Sequence, residues 1–327
     1  MKQSWRFLGH SVLLFLFFGL GISFLHAQSL PTNAAGVNLI PNPQFPAPHS
    51  LVEISLDAYS LETTGAYIRW YTNDVAQSHC RNERSCTITT GALGEEVVVQ
   101  VALTRAGSLP LTSSIIIAPT VTDLILEAKT YVPLFYKGRA LPSTDSALRA
   151  IAIIHDGSGA SQKSYTYKWS QGSSVLFGGP VNGKNVLDFT MPHYDNGLLS
   201  VEIFNAKGTL VGGGDISLIT VSPELHFYEQ NPLRGLSQRE LVSPFSLLGE
   251  ETTISGEPYY MNTALSSNDA DFTWKINNVP ASSDLSFPNA ITLRRVGESG
   301  TAEIDLRIVT KQRIPQFVEK AFKLFFD

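Results

Sequence analysis

The amino-acid sequence predicts an all-β protein, built of tandem β-sandwich modules behind an N-terminal signal or anchor segment. Three observations carry this. A strand-like alternation ending in Trp occurs three times. Each Trp is followed, about thirty residues later, by a second and stronger alternating stretch. No long segment shows the apolar period of an amphipathic helix; the best helical candidate, Ser237 to Val242, is short.

In the first copy Ala66, Ile68 and Trp70 share one face, in the second Tyr165, Tyr167 and Trp169, and in the third Ala270, Phe272 and Trp274. A period of two is the mark of a half-buried strand. The stronger stretches are Val97, Val99, Val101 and Leu103, then Leu199, Val201 and Ile203, then Ala302, Ile304, Leu306 and Ile308. In the last of these Glu303, Asp305 and Arg307 point the other way. Trp70 to Val99 spans 29 residues, Trp169 to Val201 spans 32 and Trp274 to Ile304 spans 30. Strands before each Trp are expected at Val52 to Leu56, at Ile151 to Ile153 and around Ile254. Closing strands are expected at Ser114 to Ala118, Asp215 to Val221 and Val318 to Phe326. Two packed sheets need inward bulk to fill a layer about 10 Å thick, so Trp70, Trp169 and Trp274 are each expected to centre a separate core.

The N-terminus reads as an export signal. Lys2 and Arg6 precede an apolar stretch from Val12 to Leu25, which is long enough for a signal core and short for a membrane span. Cleavage after Ala27 is expected, with an uncleaved N-terminal anchor as the alternative; both place the remainder outside the cytoplasm. Without residues 1–27 the chain carries 22 basic and 29 acidic residues, a net charge of −7. A mildly acidic chain without basic clusters argues against nucleic acid or anionic membrane as the main partner. Residues 28–44, rich in Pro, read as an extended spacer. The three modules are then expected at 45–119, 120–222 and 223–327, with Pro-bearing joints at Ala118-Pro119-Thr120 and Ser222-Pro223-Glu224.

The two cysteines, Cys80 and Cys86, are close in sequence and in an oxidising compartment, so a disulfide within the loop after the first Trp strand is expected. His79 beside Cys80 raises a metal site as the rival, but three ligands make a poor structural zinc site and no metal is expected. No histidine spacing suits a catalytic metal, and no nucleophile elbow is present. Glu250, Glu251 and Glu257 are carboxylates with nothing to place two of them around a cleft. No catalytic residue and no cofactor is expected.

Aromatic side chains give the better functional hint. Tyr67 and Tyr71 lie on the face opposite Trp70. Tyr131, Phe135 and Tyr136 cluster with Lys137 and Arg139, and Tyr259 and Tyr260 follow Pro258. Tyr131, Phe135, Tyr136 and Arg139 are candidates for partner binding, because aromatics with Arg are typical of binding surfaces; packing between modules is the competing use.

The fragments YIRWYTND, YTYKWSQG and FTWKINN, followed by strands such as VEIFNAKG, resemble immunoglobulin-like and PKD-like extracellular modules. Two further fragments, TYVPLFYKGRAL and FYEQNPLRGL, resemble segments of uncharacterised exported proteins of candidate-phyla bacteria. In each, the Pro-Leu pair is expected in an opening strand at a sheet edge. The resemblance implies immunoglobulin-like sandwiches in a secreted or cell-surface setting and no particular activity. The expected role is non-enzymatic: adhesion, interaction or spacing, with a protein or glycan partner and contact with membrane only through the N-terminal segment. The alternatives are a structural component of an envelope or pilus assembly and a carbohydrate-active accessory protein.

Overall fold

Alternating strands bury one face each, and the chain resolves that demand three times over. The computed structural model describes residues 36–58, 65–193, 197–262, 268–284 and 286–327. The expected signal segment lies outside the described residues.

In the first sandwich, β1 (Asn38–Asn42), β2 (Leu51–Asp57) and β5 (Ser85–Thr89) form a sheet in the order β1-β2-β5. Opposite it stand β3 (Tyr67–Thr72), β4 (Val75–Ala76), β6 (Val97–Thr104) and β7 (Leu111–Ile117), in the order β4-β3-β6-β7. The second sandwich repeats the plan with β8 (Val121–Ala128), β9 (Ala147–His155) and β13 (Val186–Thr190) in one sheet. Its other sheet runs β11 (Ser174–Val175), β10 (Thr166–Gln171), β14 (Leu198–Phe204) and β15 (Leu210–Ser217), with β12 (Val181–Asn182) also on β10. In the third, β16 (Glu224–Asn231), β17 (Gly235–Glu240), β19 (Glu251–Tyr259) and β22 (Ala290–Arg294) are ordered β17-β16-β19-β22. The facing sheet joins β18 (Phe245–Ser246), β20 (Ala270–Ile276), β21 (Val279–Ala281), β23 (Gly300–Thr310) and β24 (Phe317–Phe326) in the order β18-β24-β23-β20-β21. Almost every pairing is antiparallel; the short β18 runs parallel to β24. The chain is an all-β protein of tandem immunoglobulin-like β-sandwiches.

The three Trp strands occupy one equivalent place. Trp70 stands opposite Val101, Trp169 opposite Val201 and Trp274 opposite Leu306. Each ring is 1% exposed and belongs to a different hydrophobic cluster. A buried indole N–H needs an acceptor. Each finds a backbone carbonyl a little downstream: Glu83 at 3.0 Å for Trp70, Lys184 at 2.8 Å for Trp169 and Pro288 at 3.0 Å for Trp274. Two of the Trp strands close on two-residue turns with both residues at positive φ, Asn73-Asp74 and Asn277-Asn278, where Asn and Asp tolerate the left-handed region.

Four expectations are corrected. Part of the expected 28–44 spacer, Asn38–Asn42, is strand β1 paired to β2. Pro41 is accommodated because β1 is an edge strand, where a missing N–H deprives no neighbour. The best helical candidate, Ser237 to Val242, is not a helix: its first four residues lie in strand β17, held to β16 by a turn in which Asn231 Oδ1 accepts from the N–H groups of Leu233 and Arg234. Pro133 and Pro232 sit in neither expected opening strand: Pro133 follows β8 in a loop, and Pro232 lies in the β16–β17 turn. The disulfide between Cys80 and Cys86 forms, but it reaches beyond the loop after the first Trp strand. Cys86 is in β5 and both sulfurs join the Trp70 core.

Candidate functional site

The long connection between β8 and β9 explains what the Tyr-rich fragment does. Outward residues of a sandwich sheet ordinarily meet solvent. On β16 and β19, Leu225, Phe227 and Ile254 fill the third core, so His226, Tyr228, Ser255, Glu257 and Tyr259 face outward. Yet Tyr228, Ser255, Glu257 and Tyr259 are all buried, Glu257 at 4% exposure. The cover is an arm from the second sandwich, residues 130–141. Val132, Phe135, Tyr136 and Leu141 pack against Tyr228, Tyr259 and Tyr260.

The arm is fixed by polar as well as apolar contacts. The Tyr131 N–H donates to Met261 O at 2.7 Å and Tyr131 O accepts from the Tyr260 N–H at 2.7 Å, an antiparallel bridge beyond the end of β19. The Tyr131 hydroxyl donates to Glu257 at 2.7 Å. The same carboxylate accepts from Ser255 Oγ at 2.8 Å and Asn289 Nδ2 at 2.9 Å. Hydroxyls pair at 2.9 Å between Tyr136 and Tyr260 and at 2.7 Å between Tyr228 and Tyr259. Phe135 meets Tyr228 edge-on at 5.1 Å, and Tyr136 meets Tyr259 likewise at 5.2 Å. Beyond the arm, Gln316 Nε2 donates to Ser143 Oγ at 3.0 Å and Thr144 O at 2.7 Å, while its Oε1 accepts from the Asn262 N–H at 2.9 Å.

Burial sets the electrostatics here. Desolvation pushes the Glu257 carboxyl above its ordinary value, against the pull of Tyr131, Ser255 and Asn289, which favour the charged form. Burial first, and the facing Glu257 second, push the Tyr131 phenol up. His226, opposite Glu257 in register, sits between Glu224 at 3.1 Å and Glu240 at 2.9 Å, with Lys320 on Glu240 at 2.8 Å.

Of the four candidate partner-binding residues, Tyr131, Phe135 and Tyr136 are turned into this joint and Arg139 remains exposed. A sequence shows aromatics and their spacing, not which surface they meet. Ser255, Gln316 and Ser143 escaped sequence reading altogether, since isolated polar residues carry no pattern. Tyr259 and Tyr260 were the available signal. Glu257 is held by three donors inside the joint, and Glu251 faces Arg294 across the sheet at 3.0 Å. His79, Cys80 and Cys86 bring potential ligand atoms within 4.8 Å, but the sulfurs are bonded to one another and His79 Nε2 lies 3.2 Å from Thr87 O.

The first joint is less aromatic and is made largely through backbone. Gly94 N–H donates to Pro119 O at 2.9 Å, and Thr120 N–H to Pro46 O at 3.2 Å. Gly94 and Gly157 allow the loops of the two sandwiches to meet backbone to backbone: a Cβ on Gly94 would lie 2.2 Å from Asp156 O, and one on Gly157 2.6 Å from Leu93 O. The Phe45 ring rests against Gly213. Val121 pairs with His155 at this end of the second sandwich and Ala128 with Leu148 at the other, so the two joints occupy opposite ends.

No family model matches the chain, and no curated protein matches it. Among solved structures, the three N-terminal domains of the Highly Immunogenic Outer Capsid protein of bacteriophage RB49 align at 9% identity over 89% of this chain and 98% of that one, with a TM-score of 0.24. The central fibronectin-III array of RIM-binding protein aligns at 13% identity over 88% and 98%, with a TM-score of 0.27. A Bacteroides ovatus glucan-utilization protein, SGBP-B, solved with a mixed-linkage heptasaccharide, aligns at 12% identity over 92% and 69%, with a TM-score of 0.22. Likenesses of this size carry no conclusion about ligand or activity.

Proposed function

We propose that the chain is an exported, non-enzymatic spacer and interaction protein whose sandwiches are locked into a stiff row. The observation that carries this reading is the arm of the second sandwich, closed over the outward face of the third and fixed by a backbone bridge and the Tyr131–Glu257 bond. A flexible linker would leave neighbouring sandwiches free to reorient. An arm that buries tyrosines on its neighbour opposes that. The joint at the opposite end is short and Pro-bearing. The disulfide fits an oxidising compartment, and the N-terminal segment accounts for export to a bacterial surface or its surroundings. No helix among the described residues is long and apolar enough to cross a membrane.

Small-angle scattering on the exported chain tests the reading. Sandwiches about 40 Å long would make a row of about 120 Å. Its radius of gyration should exceed about 30 Å, against about 19 Å for a compact chain of this size. A value near the compact figure, or scattering that fits a freely jointed chain, would remove the spacer reading.

A further inference from the structure

The outward faces of the three Trp-bearing sheets are built on one plan but differently furnished. Just before each Trp stand Arg69, Lys168 and Thr273; the residues opposite them are Ala102, Glu202 and Arg307. In the second sandwich the cation is neutralised across the strands, Lys168 to Glu202 at 2.6 Å. In the third, Lys311 meets Asp271 at 3.1 Å and Arg307 lies 3.9 Å from Glu319. In the first, Arg69 faces Ala102, and Ala102 faces Thr112. The outward positions are Tyr67, Arg69 and Tyr71 on β3, Val98, Gln100, Ala102 and Thr104 on β6, and Thr112, Ser114 and Ile116 on β7. No carboxylate stands among them; Asp74 and Glu96 lie beyond the strand ends. Arg69 is exposed, and its guanidinium lies 4.9 Å over the Tyr67 ring. The groups that hold its pKa above the ordinary value are Tyr71 first and then Tyr67, with no carboxylate among them.

We propose that this face binds an acidic polysaccharide, with a sugar ring stacked on Tyr71 and a uronate carboxylate paired with Arg69, whose guanidinium is held over the Tyr67 ring. Three physical points select that occupant. Arg69 is an exposed planar donor fork without an acid partner among the described residues. Tyr67 and Tyr71 stand four residues apart on one strand, about 13 Å, with Arg69 between them and small side chains beside them. That is an open track for an extended chain, not a closed pocket. A sheet face, unlike a sheet edge, offers no free backbone groups, so a peptide could not bind here by adding a strand. The Tyr71 ring and side-chain donors such as Gln100 and Thr112 suit a polymer of flat rings bearing hydroxyls.

The proposal deepens the interaction half of the function proposed above, and its test is separate from scattering, which reads shape alone. The full exported chain is run through native gels containing polygalacturonate, a neutral glucan or polyglutamate. Polygalacturonate should retard it more than the other two. Arg69→Gln should weaken that retardation about tenfold, the size of a lost charge-assisted bond. Tyr67→Ala with Tyr71→Ala should abolish it. Should Arg69→Gln shift the thermal transition, Arg69→Lys keeps the charge without the fork and should still bind more weakly. No retardation by polygalacturonate, equal retardation by neutral glucan or by polyglutamate, or full retention in the Arg69 variants would overturn the proposal.

Discussion

The hydroxyl of Tyr131 donates to the carboxylate of Glu257 across 126 positions of sequence, at 2.7 Å, inside the joint between the second and third sandwiches. The bond fixes the arm at the point where its backbone also bridges to Met261. Tyr131→Phe deletes the donor and leaves a buried carboxylate with fewer partners. The expected cost is about 2 kcal/mol, as for other hydrogen bonds to charged groups. Calorimetry should show it as a loss of coupling: the second and third sandwiches melt together in the native chain and separately in the variant.

Glu257 also gives the joint a pH dependence of known sign. Its carboxyl is raised in the folded chain above the ordinary value of 4.5, with burial as the main cause. A raised carboxyl binds its proton more readily when folded, so its contribution is fully present below the unfolded value and declines as pH rises through the folded one. Asp188 acts in the opposite sense. Arg149 first and Lys129 second hold it at about 2, so its contribution is present above the unfolded value and lost as pH falls toward 2. Denaturant titrations from pH 4.5 upward should show a falling component that Glu257→Gln removes. An identical slope in the variant would assign that component elsewhere.

Gly94 should tolerate no side chain. Its φ is +74°, and a Cβ would lie 2.2 Å from Asp156 O of the next sandwich. Gly94→Ala adds at least about 1 kcal/mol of left-handed backbone strain, and the contact must then open. The expected result is a looser first joint, read as a broader distance distribution in scattering, with both neighbouring sandwiches still folded.

The disulfide holds two core residues, not a loop tip. Cys80 and Cys86 pack with Trp70, Ile54 and Val101. Replacing both with Ala should destabilise the first sandwich by about 2 kcal/mol from lost loop closure alone. Thiol titration of denatured, unreduced protein should find no reactive cysteine; two per chain would contradict the bond.

Trp70→Ala, Trp169→Ala and Trp274→Ala should each cost about 3–5 kcal/mol, enough to unfold a marginal sandwich. Trp70 belongs to a cluster separate from the other two, so its loss should remove one calorimetric transition. The arm joins the second and third sandwiches, so loss of either Trp169 or Trp274 should lower the transition those two share.

What the sequence by itself determined was everything that depends on local period. Ile68 and Trp70, Tyr167 and Trp169, and the run from Ile304 to Ile308 alternate because one face of each strand is buried and the other is wet, and that contrast is written in residue type. The threefold plan and the pairing of the neighbouring cysteines were legible for the same local reasons. Only the tertiary structure decided the rest. From Ile254 to Tyr259 strand β19 is buried on both faces, so its sequence, ISGEPY, shows no alternation to read. Its outward face is covered by an arm that departs more than a hundred residues earlier. Whether a tyrosine meets solvent, a ligand or another tyrosine depends on which surface arrives opposite it, and that is a property of how the sandwiches dock, not of any window of sequence.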